Sequence, residues 1–239
     1  MRWLLLILLN SIGLRRVAQL WLQRAIAGLR PSSPRDLVER LPGAIEDTWP
    51  EPAERIRVYD TLLARTATFG ADNLLHHIAR FEILLDLFEH DRKRSIEMTP
   101  STVSVLRRQL SPHEEIVQRA MQQHAIALKI SGDPIGALQI EEDLLATALA
   151  DEPPDSPRGF SLRHNIAMSY KMSGNPTGCT ERLEALLRDI SAHLPDEHIS
   201  FERTAAFYFD HLCDLGRDDA RAFIQGLIDE HAQASPSHA

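Results

Sequence analysis

Eleven histidines and two cysteines are among the residues of this chain that could hold a metal or move a proton. Their spacing argues against both uses. His76 and His77 are adjacent, and neighbours on a helix point about 100° apart, so they do not converge on one ligand. The pair His211-x-Cys213 has the same defect. His113-Glu114-Glu115 lacks the second histidine that a zinc-protease helix requires. Cys179 and Cys213 each fall in a predicted helix, in contexts that suit a small core residue, and no second cysteine pair exists to complete a zinc site. Glu141-Glu142 reads as part of a solvated helix face. No phosphate-cradling GxGxxG or GxxxxGK[ST] motif and no GxSxG nucleophile turn occurs. No enzymatic activity, metal or cofactor is expected.

The chain has 239 residues, and its 34 acidic against 26 basic side chains give a formal charge of −8. Such a surface repels phosphate backbones, so nucleic acid is not an expected partner. Two cysteines alone fit a reducing compartment, and a cytoplasmic location is expected. A hydrophobic fraction of 44% supports a folded core.

The first thirty residues differ from the rest, with five arginines and no acid. The apolar run Trp3 to Leu9 is interrupted by Asn10, Ser11, Arg15 and Arg16, too early for the roughly 20 residues of a membrane span. Ala25-Ile26-Ala27 lies too far downstream to be a signal cleavage site. From Leu14 onward, Val17, Ala18, Trp21, Leu22, Ala25 and Leu29 form one face of an amphipathic helix, with Arg15, Arg16, Gln19 and Gln23 opposite. Three readings stand for residues 1–30: a helix packed on its neighbour, an interfacial membrane anchor, or a fragment of a larger element.

Beyond this point every segment reads as helix and turn. Pro31 to Pro34 breaks the chain before a helix over Arg35 to Asp47. Trp49-Pro50-Glu51-Pro52 breaks it again. A helix follows over Ala53 to Phe69, stopped by Gly70, and then the most apolar helix, Asn73 to His90. A basic turn, Asp91-Arg92-Lys93-Arg94, comes next. No segment shows the period-two alternation of a strand. Residues 1–50 are expected to be an N-terminal helical segment, and residues 51–239 a helical repeat domain.

The repeat shows in three turns: Ser131-Gly132-Asp133-Pro134, Ser173-Gly174-Asn175-Pro176 and Leu215-Gly216-Arg217-Asp218. Gly132, Gly174 and Gly216 are 42 residues apart in each step. Glycine closes the first helix of a pair in a left-handed conformation, and Asp, Asn or Pro opens the second. These segments resemble the tetratricopeptide repeat (TPR) family. In the middle repeat Ala167 takes the small place in helix A, Tyr170 the aromatic, Gly174 the turn, and Cys179 the small place in helix B. In the preceding repeat the places fall on Ala125, Leu128, Gly132, Ala137 and Leu144. The last is looser, with Phe209 for the small residue and Ala220 one position early. The 42-residue period exceeds the usual 34 and resembles the kinesin-light-chain subclass. Resemblance is clearest over residues 116–233. Counting back 42 from Gly132 reaches His90, where a degenerate fourth turn is expected.

The resemblance implies an all-α fold in which helix pairs stack into a right-handed superhelix, an α-solenoid whose concave groove is lined by the A helices. It also implies a protein or peptide partner and an adaptor or regulatory role. Outward positions of the A helices then fall on Gln123, Leu162, Asn165, Ser169 and Arg203. Of these, Asn165 occupies the place of a backbone-clamping amide in peptide-binding repeats. Ser191, in a B helix, is expected to be solvated. The alternative is the sensor or linker part of a larger signalling ATPase or transcriptional regulator, with the catalytic or DNA-binding part elsewhere.

Overall fold

The computed structural model describes residues 51–67, 73–193 and 198–234. The expectations for residues 1–50 and for the stop at Gly70 lie outside them. Among the described residues the chain forms nine helices: α1 (Pro52–Thr66), α2 (Leu74–His90), α3 (Arg92–Gln109), α4 (Glu115–Ile130), α5 (Pro134–Asp151), α6 (Pro157–Met172), α7 (Pro176–Ser191), α8 (His198–Asp214) and α9 (Ala220–Ala234). Two compact units divide them, one ending at His124 and the other starting at Ala125.

In the first unit, α2 packs on α1 and on α3. Asn73 caps α2 by accepting the His76 amide. Ile78, Phe81, Ile83, Leu84 and Leu87 of α2 are buried, as are Val103 and Leu106 of α3, so the most apolar stretch of sequence is the centre of this unit. The basic turn expected at Asp91 to Arg94 is shorter than that. Asp91 alone makes it: its amide closes α2 on the Leu87 carbonyl, and its carboxylate accepts the Arg94 amide to start α3. One residue can do both because an aspartate backbone ends one helix while its side chain caps the next. This turn holds the 42-residue register without a glycine. In that register Ser95 stands where Ala137 and Cys179 stand later. It is fully buried, and its hydroxyl donates to the Leu84 carbonyl at 3.0 Å.

The second unit is built from three turns of one design. Gly132, Gly174 and Gly216 have φ of 85°, 78° and 69°, and no other described residue has positive φ. At each turn two amides return to the preceding helix. For the middle turn these are Gly174 to the Lys171 carbonyl and Asn175 to the Tyr170 carbonyl; the other two repeat the pattern residue for residue. This is a Schellman ending, which needs a residue free of Cβ strain at the left-handed position. Asp133 and Asn175 then cap α5 and α7 by accepting the amides of Gly136 and Gly178. From α5 to α9, each helix packs on the next. Ala167 and Cys179 are both fully buried in the core that unites α6, α7, α8 and α9.

Three expectations about single side chains need correction. Cys213 is exposed, while Cys179 is buried, and burial pushes the Cys179 thiol up to about 11. Ser191 is buried, not solvated, and its hydroxyl donates to the Arg188 carbonyl. Glu141 is 1% exposed and bonded to Lys129 at 2.6 Å, so only Glu142 of that pair faces solvent. A 42-residue period shows where helices turn. It does not show which side a neighbouring helix covers: Ser191 and Glu141 lie on covered sides, and Cys213 on an open one.

Candidate functional site

The A helices α6 and α8 meet directly in the second unit. Their seam is held by polar and aromatic contacts in sequence. His164 Nδ1 lies 3.2 Å from Thr204 Oγ1, and the His164 ring packs on Phe207 at 5.3 Å. Two turns further along α6, Lys171 Nζ donates to Asp214 at 2.6 Å and sits 5.4 Å from the Phe207 ring centre. His164 is buried, and its pKa is pushed down to about 4 by burial first and then by Arg203 and Lys129. It therefore sits in the seam as a neutral imidazole at neutral pH.

Beside these contacts, and partly overlapping them, each helix carries an open stripe. On α6 it consists of Ser161, Asn165, Met168 and Met172, at steps of four, three and four, partly or fully exposed. On α8 it consists of Arg203, Phe207, Asp210 and Asp214, at the same steps, with Phe207 half-buried and the others exposed. Such steps keep side chains on one face of a helix. Among the described residues, the Asn165 side chain has no hydrogen-bond partner, and Arg203 has neither a hydrogen bond nor an ion pair. Every other lysine and arginine described in this unit meets a carboxylate or stacks on an aromatic ring.

Of the five outward positions expected from the sequence, Asn165 and Arg203 lie on these stripes. Leu162 and Ser169 do not, being 2% and 0% exposed. Each follows a member of the α6 stripe by one residue, and one residue turns the side chain by about 100°, which here carries it under a neighbouring helix. Ser169 points to α5, where its hydroxyl donates to Glu141 Oε2 at 2.6 Å. Gln123 is also buried rather than outward, at 7% exposed in the first unit, and its Nε2 has no partner among the described residues.

Phe207, Met168 and Asp210 were not legible as site residues, because the repeat pattern marks where the two helices of a pair meet and not what the open sector contains. Gly136 and Gly178 were also missed, although they too are 42 residues apart. A Cβ at Gly178 would lie 2.7 Å from Tyr170 Cδ1, so this glycine lets the signature aromatic of α6 rest on α7. The repeated second glycine was the available signal.

Comparison with known proteins locates the fold. No family model matches the chain, and no curated protein matches it. Among solved structures, one from Podosopora anserina, described as the nearly identical TPR-like repeats of a kinesin light chain, aligns at a TM-score of 0.64 and 17% identity. It covers 87% of this chain and 99% of that one. A single-substitution form of the same protein aligns at 0.63 and 17%, over 85% and 96%. The chain thus has a TPR-like α-solenoid fold. No helix among the described residues is long and apolar enough to cross a membrane.

Proposed function

We propose that this chain is a protein-binding repeat module of adaptor or regulatory type, which holds a peptide or partner helix against the A helices of its second unit. The observation that carries the reading is the pair of unsatisfied polar groups on the open stripes, Asn165 and Arg203, beside the apolar surface of Met168 and Phe207. A half-buried amide with no internal partner can donate and accept at the backbone of an extended chain. A guanidinium without an ion pair adds a charged bond without first breaking an internal one. TPR-like neighbours support a scaffold role in general terms, and a cytoplasmic setting fits the two thiols. The remaining site expectation, Gln123, is buried in the first unit and takes no part in this surface.

The test is capture from the source cell with the full chain as bait, compared with the double variant Asn165→Ala/Arg203→Gln and with a change on an exposed B-helix position, Glu181→Lys. A partner retained by wild type and Glu181→Lys but lost by the double variant supports the seam. Equal capture by all three baits rejects it.

A further inference from the structure

The α8 stripe is not uniformly charged. Arg203 and Asp210 are exposed, seven residues apart on one helix face, and neither has a hydrogen bond or ion pair among the described residues. Seven helical residues span about 10 Å, too far for the two to neutralise each other. Phe207 lies between them, half-buried, turned towards α6 by its contacts with His164 and Lys171. Asp214, at the far end, is already held by Lys171. The seam therefore presents, in order, an unpaired cation, an apolar ring and an unpaired carboxylate, with the Asn165 amide on the facing helix.

We infer that this seam selects a dipolar segment: an extended peptide with a carboxylate for Arg203, an apolar side chain for Phe207 and Met168, and a lysine or arginine for Asp210. The inference rests on the reading of the seam as a partner surface and adds the partner's charge pattern. An extended strand advances about 3.3 Å per residue, so the two charges of the ligand stand about three residues apart. A uniformly acidic segment meets Arg203 well and then places a second carboxylate against Asp210. Among the described residues of the unit, every other lysine and arginine already meets a carboxylate or stacks on an aromatic ring, so the unit offers little to offset that repulsion. Opposite charges in the wrong order are rejected in the same way, so the pattern sets direction as well as composition.

Four fluorescein-labelled nonapeptides test this against the full chain by fluorescence anisotropy. Each has a central leucine flanked by charges about three residues apart: Asp then Lys, Lys then Asp, two Asp, or two Lys. One of the two dipolar orders is expected to bind at least about fivefold more tightly than either like-charged peptide. Arg203→Gln and Asp210→Asn should each remove that advantage, with unchanged helical circular dichroism because both positions are exposed. The exchange variant Arg203→Asp/Asp210→Arg should transfer the preference to the opposite order, which a merely structural role could not do. If the two-Asp peptide binds best and Asp210→Asn strengthens it, the dipolar pattern is wrong while the seam remains a partner surface. The same holds if the two-Lys peptide binds best, or if charge order makes no difference. If none of the four binds, the seam reading falls with the inference.

Discussion

Ala167 on α6 and Cys179 on α7 are fully buried where the two helices of the middle repeat face each other. Added methylenes at such a site force side chains off their rotamers and typically cost about 1–3 kcal/mol. Ala167→Leu and Cys179→Leu should each lower the urea midpoint by that order, while Ala185→Leu, on the exposed side of α7, should stay within about 0.5 kcal/mol. Equal midpoints for all three would reject the helix pairing. His164 gives a second residue-scale expectation, read in pH. Its folded pKa is about 4 against an ordinary value of 6.5, with burial the main cause. The unfolded chain therefore binds more protons between those values, and stability falls as pH drops from about 6.5 towards 4. The stability lost across that window should be about 2 kcal/mol larger in wild type than in His164→Gln. Urea titrations at about pH 7 and about pH 4.5 on both proteins measure the difference, and parallel losses would contradict it.

At the scale of helices, the first clear repeat holds a buried ion pair, which its junction with the second repeat completes. Lys129 on α4 and Glu141 on α5 are bonded at 2.6 Å, and Ser169 on α6 gives Glu141 its second bond. The next junction uses a different pair: His211 on α8 bonds Thr180 Oγ1 and the Pro176 carbonyl of α7. His211 stands 42 residues after Ser169, so one register position closes both junctions with different chemistry. Breaking a buried pair by removing one partner leaves an uncompensated charge and typically costs about 3–5 kcal/mol. Lys129→Met should destabilise by about that amount, and adding Glu141→Leu should recover most of it. Urea midpoints of the two variants measure this. A double variant no more stable than the single would show that the pair is not what holds α4 to α5. None of this was legible in the sequence. The three turns were, because Schellman chemistry is local and glycine with Asp or Asn is its direct mark. Burial of Leu162, Ser169, Glu141 and Ser191 depends on neighbouring helices, and no local pattern encodes it.

At the scale of the molecule, the TPR-like fold was readable from two equal spacings and a set of small residues, and the solved neighbours agree with it over most of the chain. The proposed partner surface was readable only in part. Asn165 and Arg203 are where the repeat pattern put them, whereas Phe207 and Asp210 emerge once α6 and α8 are side by side. A repeat array can vary its open surface while keeping its turns, so the variable part has no signature to find.

The central claim is that the seam between α6 and α8 is the surface that meets a partner. Amide hydrogen exchange on the full chain, alone and saturated with the partner recovered by capture, tests it most directly. Slowed exchange should concentrate on the stripes around Asn165 and Met168 of α6 and Arg203 to Asp210 of α8, with α5 and α7 little changed. Protection confined to the B helices α5, α7 and α9, with α6 and α8 unaffected, would contradict it.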